Sequence, residues 1–188
     1  MKFAEKDEES GMLVKQNVGT ITDVDEDVDI CAVGGLAFID GLLYGIMSND
    51  SYMLQISTED ATATVVDYSD VGGEGDPYYY GAAPIERNGR LFASGYDYDE
   101  DSDLSGEYVY YTLDTDGNLD VLEIIDFADS DSYGVIDMAV LPDGTILGLE
   151  NTDGSGYETL LVSVNPETGE NTEIAPLPED IGAIMVIP

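Results

Sequence analysis

A short hairpin signal occurs three times in this sequence, and the repeat restricts the fold more than any other feature. Each copy has an Asn-Gly or Asp-Gly pair between two apolar runs: Asp40-Gly41, Asn88-Gly89 and Asp143-Gly144. Both central residues of a type I′ turn need positive φ, which these residues tolerate, so each copy predicts a tight β-hairpin. Two further short apolar runs follow each hairpin, and no stretch has helical periodicity. The sequence therefore predicts a repeated antiparallel meander of four strands.

The two ends of the chain together match the parts of a further unit. Residues 182–186 match a first strand, while residues 2–5, 12–15 and 20–23 match a second, third and fourth strand. We therefore predict a single domain over residues 1–188, in which N-terminal strands pair with the C-terminal strand and close a ring. The predicted units are residues 1–34 plus 181–188, 35–80, 81–134 and 135–180.

The repeated strands with their Asp-Gly or Asn-Gly turns, together with the Asn-Pro-Glu-Thr-Gly turn at residues 165–169 of the last unit, resemble the quinoprotein-like and NHL/YVTN-like β-propeller repeats. This resemblance covers nearly the whole chain and implies an all-β propeller of four four-stranded antiparallel blades. First strands line the axis of a propeller, and an alanine recurs there in each unit, as Ala37, Ala83, Ala139 and Ala183. We expect a monomer, and the alternative is a half-ring that pairs with a second chain to give eight blades.

The charge and composition exclude several partners and mechanisms. The chain of 188 residues has 41 acidic and five basic residues, a formal net charge of −36. Nucleic acid and anionic membranes are not expected partners, because their phosphates need clustered Lys and Arg. Histidine is absent and Cys31 is the single cysteine, which excludes a Ser-His-Asp triad, His-ligated zinc and an internal disulfide. The apolar runs are too short for a membrane span or a signal peptide, so we expect neither.

The long loops are predicted to share one face of the disc. In a meander of this kind, the tight turns lie on one face, while the links between units and the loops between second and third strands lie on the other. Many of the acidic residues fall in the second group, at residues 6–11, 23–29, 67–80, 97–103, 126–133 and 153–157. Arg87 and Arg90 flank a tight turn and belong to the first group. A ligand site is expected on the long-loop face, because binding groups concentrate on loops over a rigid scaffold.

The loop at residues 97–103 is the candidate metal site. Asp97, Asp99, Asp101 and Asp103 could offer hard oxygen ligands to Ca²⁺. The loop does not match the EF-hand template. Whether the count starts at Asp97 or at Asp99, the sixth residue is not Gly and the twelfth is not Glu. The alternative is that these carboxylates form a solvated acidic surface.

Tyrosine is the second unusual feature, with 13 copies and no tryptophan. Tyrosine offers flat apolar area and a hydroxyl group, which suits sugar or peptide recognition; packing between blades is the alternative. Tyr44 and Tyr52 are expected to pack within the blades, and one of the adjacent Tyr110 and Tyr111 is expected in the core. The candidate ligand-binding residues lie in or beside the long loops and are Tyr78, Tyr79, Tyr80, Tyr98, Tyr133 and Tyr157.

These features predict a non-catalytic binding module. It would present an acidic face that bears tyrosines to a protein, a glycan or a cation such as Ca²⁺. An extracellular or cell-surface location is expected, because so acidic a surface suits saline or Ca²⁺-rich surroundings. The first alternative is a propeller hydrolase or lyase that acts on glycans or lactones at the axial mouth. The second is a structural domain whose acidity is an adaptation to salt.

Overall fold

The computed structural model describes residues 21–23, 33–47, 53–66, 82–96, 107–113, 121–126, 134–152, 158–178, 181 and 183–186. Every regular element in these ranges is a β-strand, which confirms the predicted all-β class. The strands are β1 (Thr22–Asp23), β2 (Val33–Ile39), β3 (Leu42–Met47), β4 (Met53–Ile56), β5 (Thr62–Val66), β6 (Ala82–Arg87), β7 (Arg90–Tyr96), β8 (Tyr108–Leu113), β9 (Val121–Asp126), β10 (Val135–Val140), β11 (Ile146–Asn151), β12 (Thr159–Val164) and β13 (Asn171–Pro176).

The strands form three sheets, and each contains an antiparallel meander of four strands. The first sheet contains β2 to β5, the second β6 to β9 and the third β10 to β13, paired in chain order. Each meander has a register shift near the start of its first strand, between residues 33 and 35, 82 and 85, and 135 and 137. The four-stranded unit predicted from the hairpin signals is thus present three times in these ranges.

A short strand extends the first sheet in a way that the sequence did not predict. Residues 22 and 23, which form β1, pair in parallel with Thr62 and Ala63 of β5. Residues 20–23 were predicted as the outer strand of a different unit, so this pairing corrects that prediction. The physical reason is apolar contact, because Ile21 packs against the buried cluster that contains Ala63.

Two of the three repeated turns have the predicted conformation. Asp40 and Gly41 have φ of 49° and 82°, and Asn88 and Gly89 have φ of 56° and 77°. Positive φ at both central residues is the signature of a type I′ turn, whose twist matches that of the flanking strands. Each of these turns therefore joins its strands with two residues.

The third turn differs from the prediction. Gly144 has a φ of 88°, whereas Asp143 is not among the residues with positive φ. The Gly144 N–H donates to the Leu141 carbonyl at 2.9 Å, and the Leu141 N–H donates to the Thr145 carbonyl at 2.8 Å. Pro142 explains the change, because its ring fixes a negative φ that suits a type I turn but not a type I′ turn.

The second sheet packs between the other two sheets. β6 contacts both β2 and β10, so the first strands of the three meanders lie side by side. Alternate residues of β7 face opposite neighbours: Leu91 and Ala93 join a core cluster with the first sheet, while Phe92 joins one with the third. The cluster between the first and second sheets contains Ala37, Ile39, Tyr44, Ile46, Met53, Leu91, Ala93, Val109 and Tyr111. The cluster between the second and third sheets contains Ile85, Phe92, Tyr110, Val135, Met138, Ile146, Val162 and Val164.

Both tyrosines of the adjacent pair on β8 are buried. Tyr110 is 0% exposed and Tyr111 is 1% exposed. We expected one of them in the core, whereas the structure places both there. Successive residues of a strand face opposite sides, and here both sides of the second sheet are covered by a neighbouring sheet.

The recurring alanines do not share one environment. Ala37 is buried with its cross-strand neighbour Tyr44 in the cluster between the first and second sheets. Ala139 is half-buried, and Ala183 is exposed. Ala37 lies on the face of β2 that the second sheet covers, and the expectation that these alanines line a narrow axis stays a prediction.

The described residues do not form a closed ring. On β2, Leu36 and Phe38 face away from the second sheet and are 42% and 46% exposed. Beside β10, the Ile184 N–H donates to the Asp137 carboxylate at 2.7 Å. Residues 183–186 have no strand conformation, although residues 182–186 were predicted as a first strand. Within the described ranges, no helix has the length and apolarity needed to cross a membrane.

Candidate functional site

Three long connections leave the second and third sheets from the same end. Tyr96 precedes the connection at 97–106, Gly134 follows the one at 127–133, and Thr152 precedes the one at 153–157. Tyr96 lies directly across from Tyr108, whose ring contacts the Gly134 position, and the Gly134 carbonyl accepts the Asn151 N–H at 3.0 Å. We call this end of the two sheets the loop end. The bases of the three connections therefore meet there.

A tyrosine pair stands at the loop end. The rings of Tyr96 and Tyr108 meet edge to face, with centroids 5.1 Å apart and planes at 77°. A Cβ atom on Gly134 would lie 2.7 Å from Cδ1 of Tyr108, so the Tyr108 ring sits directly against the Gly134 backbone. Both tyrosines are half-buried. The glycine and the edge-to-face contact hold the pair in place while part of its surface faces solvent.

Polar groups lie beside the tyrosine pair, between the second and third sheets. The Ser94 hydroxyl donates to the Val135 carbonyl, which joins the two sheets. Val135 pairs across the strands with Glu150, whose side chain is 6% exposed. Glu150 lies on the same face of β11 as Ile146, which belongs to the cluster between the second and third sheets, so its side chain faces the second sheet. Burial is the main cause that raises the pKa of Tyr110, and the negative charge of Glu150 adds to it. Ser94 and Glu150 are thus buried polar side chains on opposite sides of this interface.

A second carboxylate lies on the opposite face of the third sheet. Asp137 pairs with Leu149, the residue before Glu150, so the two acids point to opposite faces. Asp137 is half-buried, and its carboxylate accepts the N–H groups of Ile184 at 2.7 Å and Met138 at 3.0 Å. Burial raises the pKa of Asp137 above its ordinary value of 3.8, and the two N–H donors oppose that shift. This carboxylate therefore holds residues 183–186 against β10.

The pKa shift of Asp137 predicts a specific pH dependence of stability. Because the folded pKa lies above the unfolded one, the folded state holds the Asp137 proton more tightly than the unfolded state does. The stability of the wild type minus that of Asp137→Asn should be greatest below pH 3.8 and should fall as the pH rises through the raised pKa. Urea unfolding at a series of pH values, at constant ionic strength, measures this difference.

Asp143 provides the matched control for this measurement. Its pKa is lowered by the hydrogen bonds that Thr145 donates, the backbone N–H at 3.0 Å first among them. Wild type minus Asp143→Asn should therefore show the opposite trend and increase with pH. A difference for Asp137→Asn that rises with pH, or stays flat, would contradict the assignment of a raised pKa.

The two basic residues that the structure describes, Arg87 and Arg90, lie at the end opposite the loop end. Arg87 pairs with Glu167, which lies in the turn between β12 and β13, and its guanidinium lies 5.9 Å from the centre of the Phe92 ring. Arg90 is exposed at the start of β7. This placement agrees with the expectation that Arg87 and Arg90 lie beside the tight turns, away from the long loops.

The predicted site residues lie outside the described residues. These are the candidate metal ligands Asp97, Asp99, Asp101 and Asp103 and the candidate ligand-binding Tyr78, Tyr79, Tyr80, Tyr98, Tyr133 and Tyr157. Within the described ranges, no group of three or more acidic, Cys or His side chains is arranged to hold a metal ion. Calcium binding by the four aspartates stays a prediction.

Sequence reasoning missed the groups that the structure brings together at the loop end. Glu150 closes the apolar run of β11, and an acid at that position is typical of the solvent-facing end of a strand. Gly134 follows a long acidic loop and belongs to no turn motif. Tyr96 precedes an acidic loop, but nothing in the sequence pairs it with Tyr108 across the sheet.

Comparison with known proteins bears on the fold. No protein-family description matches the chain, and no curated protein matches its sequence. A solved structure of Bacteroides ovatus Xyloglucan PUL GH43B is similar, with a TM-score of 0.50 and 17% sequence identity. The similarity covers 78% of this chain and 30% of that chain, so this chain spans less than a third of the solved structure. The GH43 fold family is a five-bladed β-propeller, and the likeness therefore shows a propeller-like, all-β fold.

Proposed function

We propose that this protein is a non-catalytic binding module that binds a glycan at the loop end of its second and third sheets. The observation that carries this proposal is that the half-buried Tyr96 and Tyr108 lie where the bases of three long connections meet. Loops on a rigid sheet scaffold commonly carry binding groups, and tyrosine presents both a flat apolar ring and a hydroxyl. The arrangement suits a ligand that has an apolar face and many hydroxyl groups.

The charge of the chain narrows the class of glycan. At a net charge of −36, an anionic ligand would be repelled, whereas a neutral sugar would be unaffected. The similar solved structure carries xyloglucan, a neutral polysaccharide, in its name, and that likeness supports testing neutral plant glycans first. The composition is equally compatible with a protein partner, which would have to be basic because this chain is strongly acidic.

The two carboxylates of the third sheet that are not exposed, Asp137 and Glu150, do not form a hydrolytic pair. Glycoside hydrolysis by two carboxylic acids needs both to flank one bond, with separations of about 5 to 9.5 Å. Asp137 and Glu150 face opposite sides of the third sheet, and Asp137 is engaged by Ile184 and Met138. This pair therefore cannot act on one glycosidic bond, and hydrolysis would require acids from elsewhere in the chain.

We also propose that the ring is closed by a fourth blade built from both ends of the chain. The hydrogen bond from Ile184 to Asp137 supports this, because it lies on the face of β10 that points away from the second sheet. The exposed Leu36 and Phe38 on the other open side offer the apolar surface that such a blade would cover. Calcium binding at the loop end and an extracellular location complete the proposal.

Titration calorimetry against soluble glycans tests the function. We expect saturable heat with a xyloglucan heptasaccharide or with xylohexaose, and none with polygalacturonate, which carries a carboxylate on each sugar. Incubation of the same glycans with the protein should release no reducing ends. Absence of saturable binding to every neutral glycan would refute the proposal, and release of reducing ends would replace it with hydrolysis.

A further inference from the structure

We infer that Tyr96 and Glu150 form a single subsite for one neutral sugar ring, with the Tyr96 ring as its platform and the Glu150 carboxylate as the acceptor for its hydroxyl groups. This inference rests on the proposed function and assigns that function to two side chains. Glu150 was not predicted as a ligand contact from the sequence.

The two side chains lie on facing sheets near the loop end, with Glu150 close to the level of Ser94 and Tyr96 two residues beyond Ser94. Ser94 and Tyr96 are two residues apart on β7, so they point to the same side of the second sheet. The Ser94 hydroxyl bonds the Val135 carbonyl, and Val135 is the cross-strand partner of Glu150. Glu150 shares its face of β11 with Ile146, which belongs to the cluster between these two sheets. Tyr96 and Glu150 therefore border the same interface.

The platform is held rigidly before a ligand arrives. Tyr108 rests against Gly134, where a Cβ atom would come within 2.7 Å of the ring, and Tyr96 contacts Tyr108 edge to face. An aromatic ring loses little conformational freedom on binding when its rotamer is already fixed, which favours affinity. The apolar face of a pyranose ring matches the flat surface of such a side chain, while its hydroxyl groups require polar partners at the edge.

Glu150 supplies such a partner and also sets the charge preference. A carboxylate accepts hydrogen bonds from sugar hydroxyls, and bonds to a charged acceptor are stronger than neutral ones. Because Glu150 is 6% exposed, its charge is poorly screened by solvent, so a uronic acid placed beside it would be repelled. The subsite should therefore prefer a neutral sugar over the corresponding uronic acid.

Four single variants of the full chain test this assignment by calorimetry with the xyloglucan heptasaccharide and xylohexaose. Tyr96→Ala should weaken binding of the better ligand about tenfold, whereas Tyr96→Phe should retain it, because the ring persists. Glu150→Gln should weaken the same binding at least fivefold and lower the discrimination against a glucuronate-bearing xylo-oligosaccharide. Phe38→Ala, which removes a partly exposed aromatic ring on the first sheet, should leave binding unchanged.

The outcomes separate this inference from the function on which it rests. If the wild type binds no neutral glycan, the proposed function fails. If the wild type binds but Tyr96→Ala matches it in affinity while remaining folded by circular dichroism, the subsite assignment alone is wrong. Should Glu150→Gln unfold, the contrast between Tyr96→Ala and Tyr96→Phe still decides: equal affinities for these two variants overturn the assignment.

Discussion

Replacing Gly134 with alanine will lower the free energy of unfolding by about 2 to 5 kcal/mol. Two costs add at this position. Gly134 has a φ of 88°, a left-handed conformation that costs an L-residue roughly 1 to 2 kcal/mol. A methyl group would also lie 2.7 Å from Cδ1 of Tyr108, and overpacking of this kind costs about 1 to 3 kcal/mol. Urea unfolding followed by circular dichroism measures the change.

Gly144→Ala separates the two costs. Gly144 has the same φ of 88°, but no atom lies within 4 Å of the position that its Cβ would occupy. Its alanine variant should therefore lose roughly 1 to 2 kcal/mol, from backbone conformation alone. Equal losses of unfolding free energy for the two variants would show that the Tyr108 ring moves away from the added methyl group at little cost. The Gly134 backbone would then not hold that ring in place.

Replacing Tyr110 with alanine will lower the free energy of unfolding by about 3 to 5 kcal/mol. The side chain is 0% exposed and stacks on Phe92, with ring centroids 5.2 Å apart and planes at 21°. Its hydroxyl donates to the Asn171 amide oxygen at 2.7 Å and so connects β8 of the second sheet to β13 of the third. The alanine variant loses the apolar contact and the hydrogen bond together.

Tyr110→Phe and Asn171→Ala divide that loss into its parts. Tyr110→Phe keeps the ring but leaves the Asn171 oxygen without its donor, which should cost about 1 to 3 kcal/mol. The Nδ2 atom of Asn171 is already buried without a hydrogen-bond partner among the described residues. Adding Asn171→Ala to Tyr110→Phe should therefore cost little further, because removing both partners leaves no orphaned acceptor. A double variant whose loss equals the sum of the single losses would contradict this coupling.

The repeated unit could be predicted from the sequence because it is encoded locally. Asp40-Gly41 and Asn88-Gly89 form the predicted type I′ turns, since the backbone preference of two adjacent residues decides the geometry. The turn at Asp143 was predicted wrongly because Pro142, one residue earlier, restricts the same backbone. Turn prediction therefore succeeded where no neighbouring proline restricted the backbone of the central pair.

Features that depend on contacts between sheets could not be predicted. The burial of both Tyr110 and Tyr111 follows from two neighbours covering the second sheet, which strand periodicity alone does not show. The parallel pairing of β1 with β5 joins residues about 40 positions apart, and no local pattern selects that partner. Glu150 at the loop end is one of 41 acidic residues, so the composition could not identify it as the buried one.

The two-sided second sheet has a consequence for how a protein of this kind can gain or lose units during evolution. A sheet whose alternate residues, such as Leu91 and Phe92, fit one neighbour on each side can be duplicated in series with one new interface, that between the two copies, because each outer face of the pair still meets the neighbour that it already fits. A terminal unit lacks this property, since one of its faces must suit a different surface. Changes in unit number should therefore originate from copies of residues 82–126 rather than from the ends of the chain.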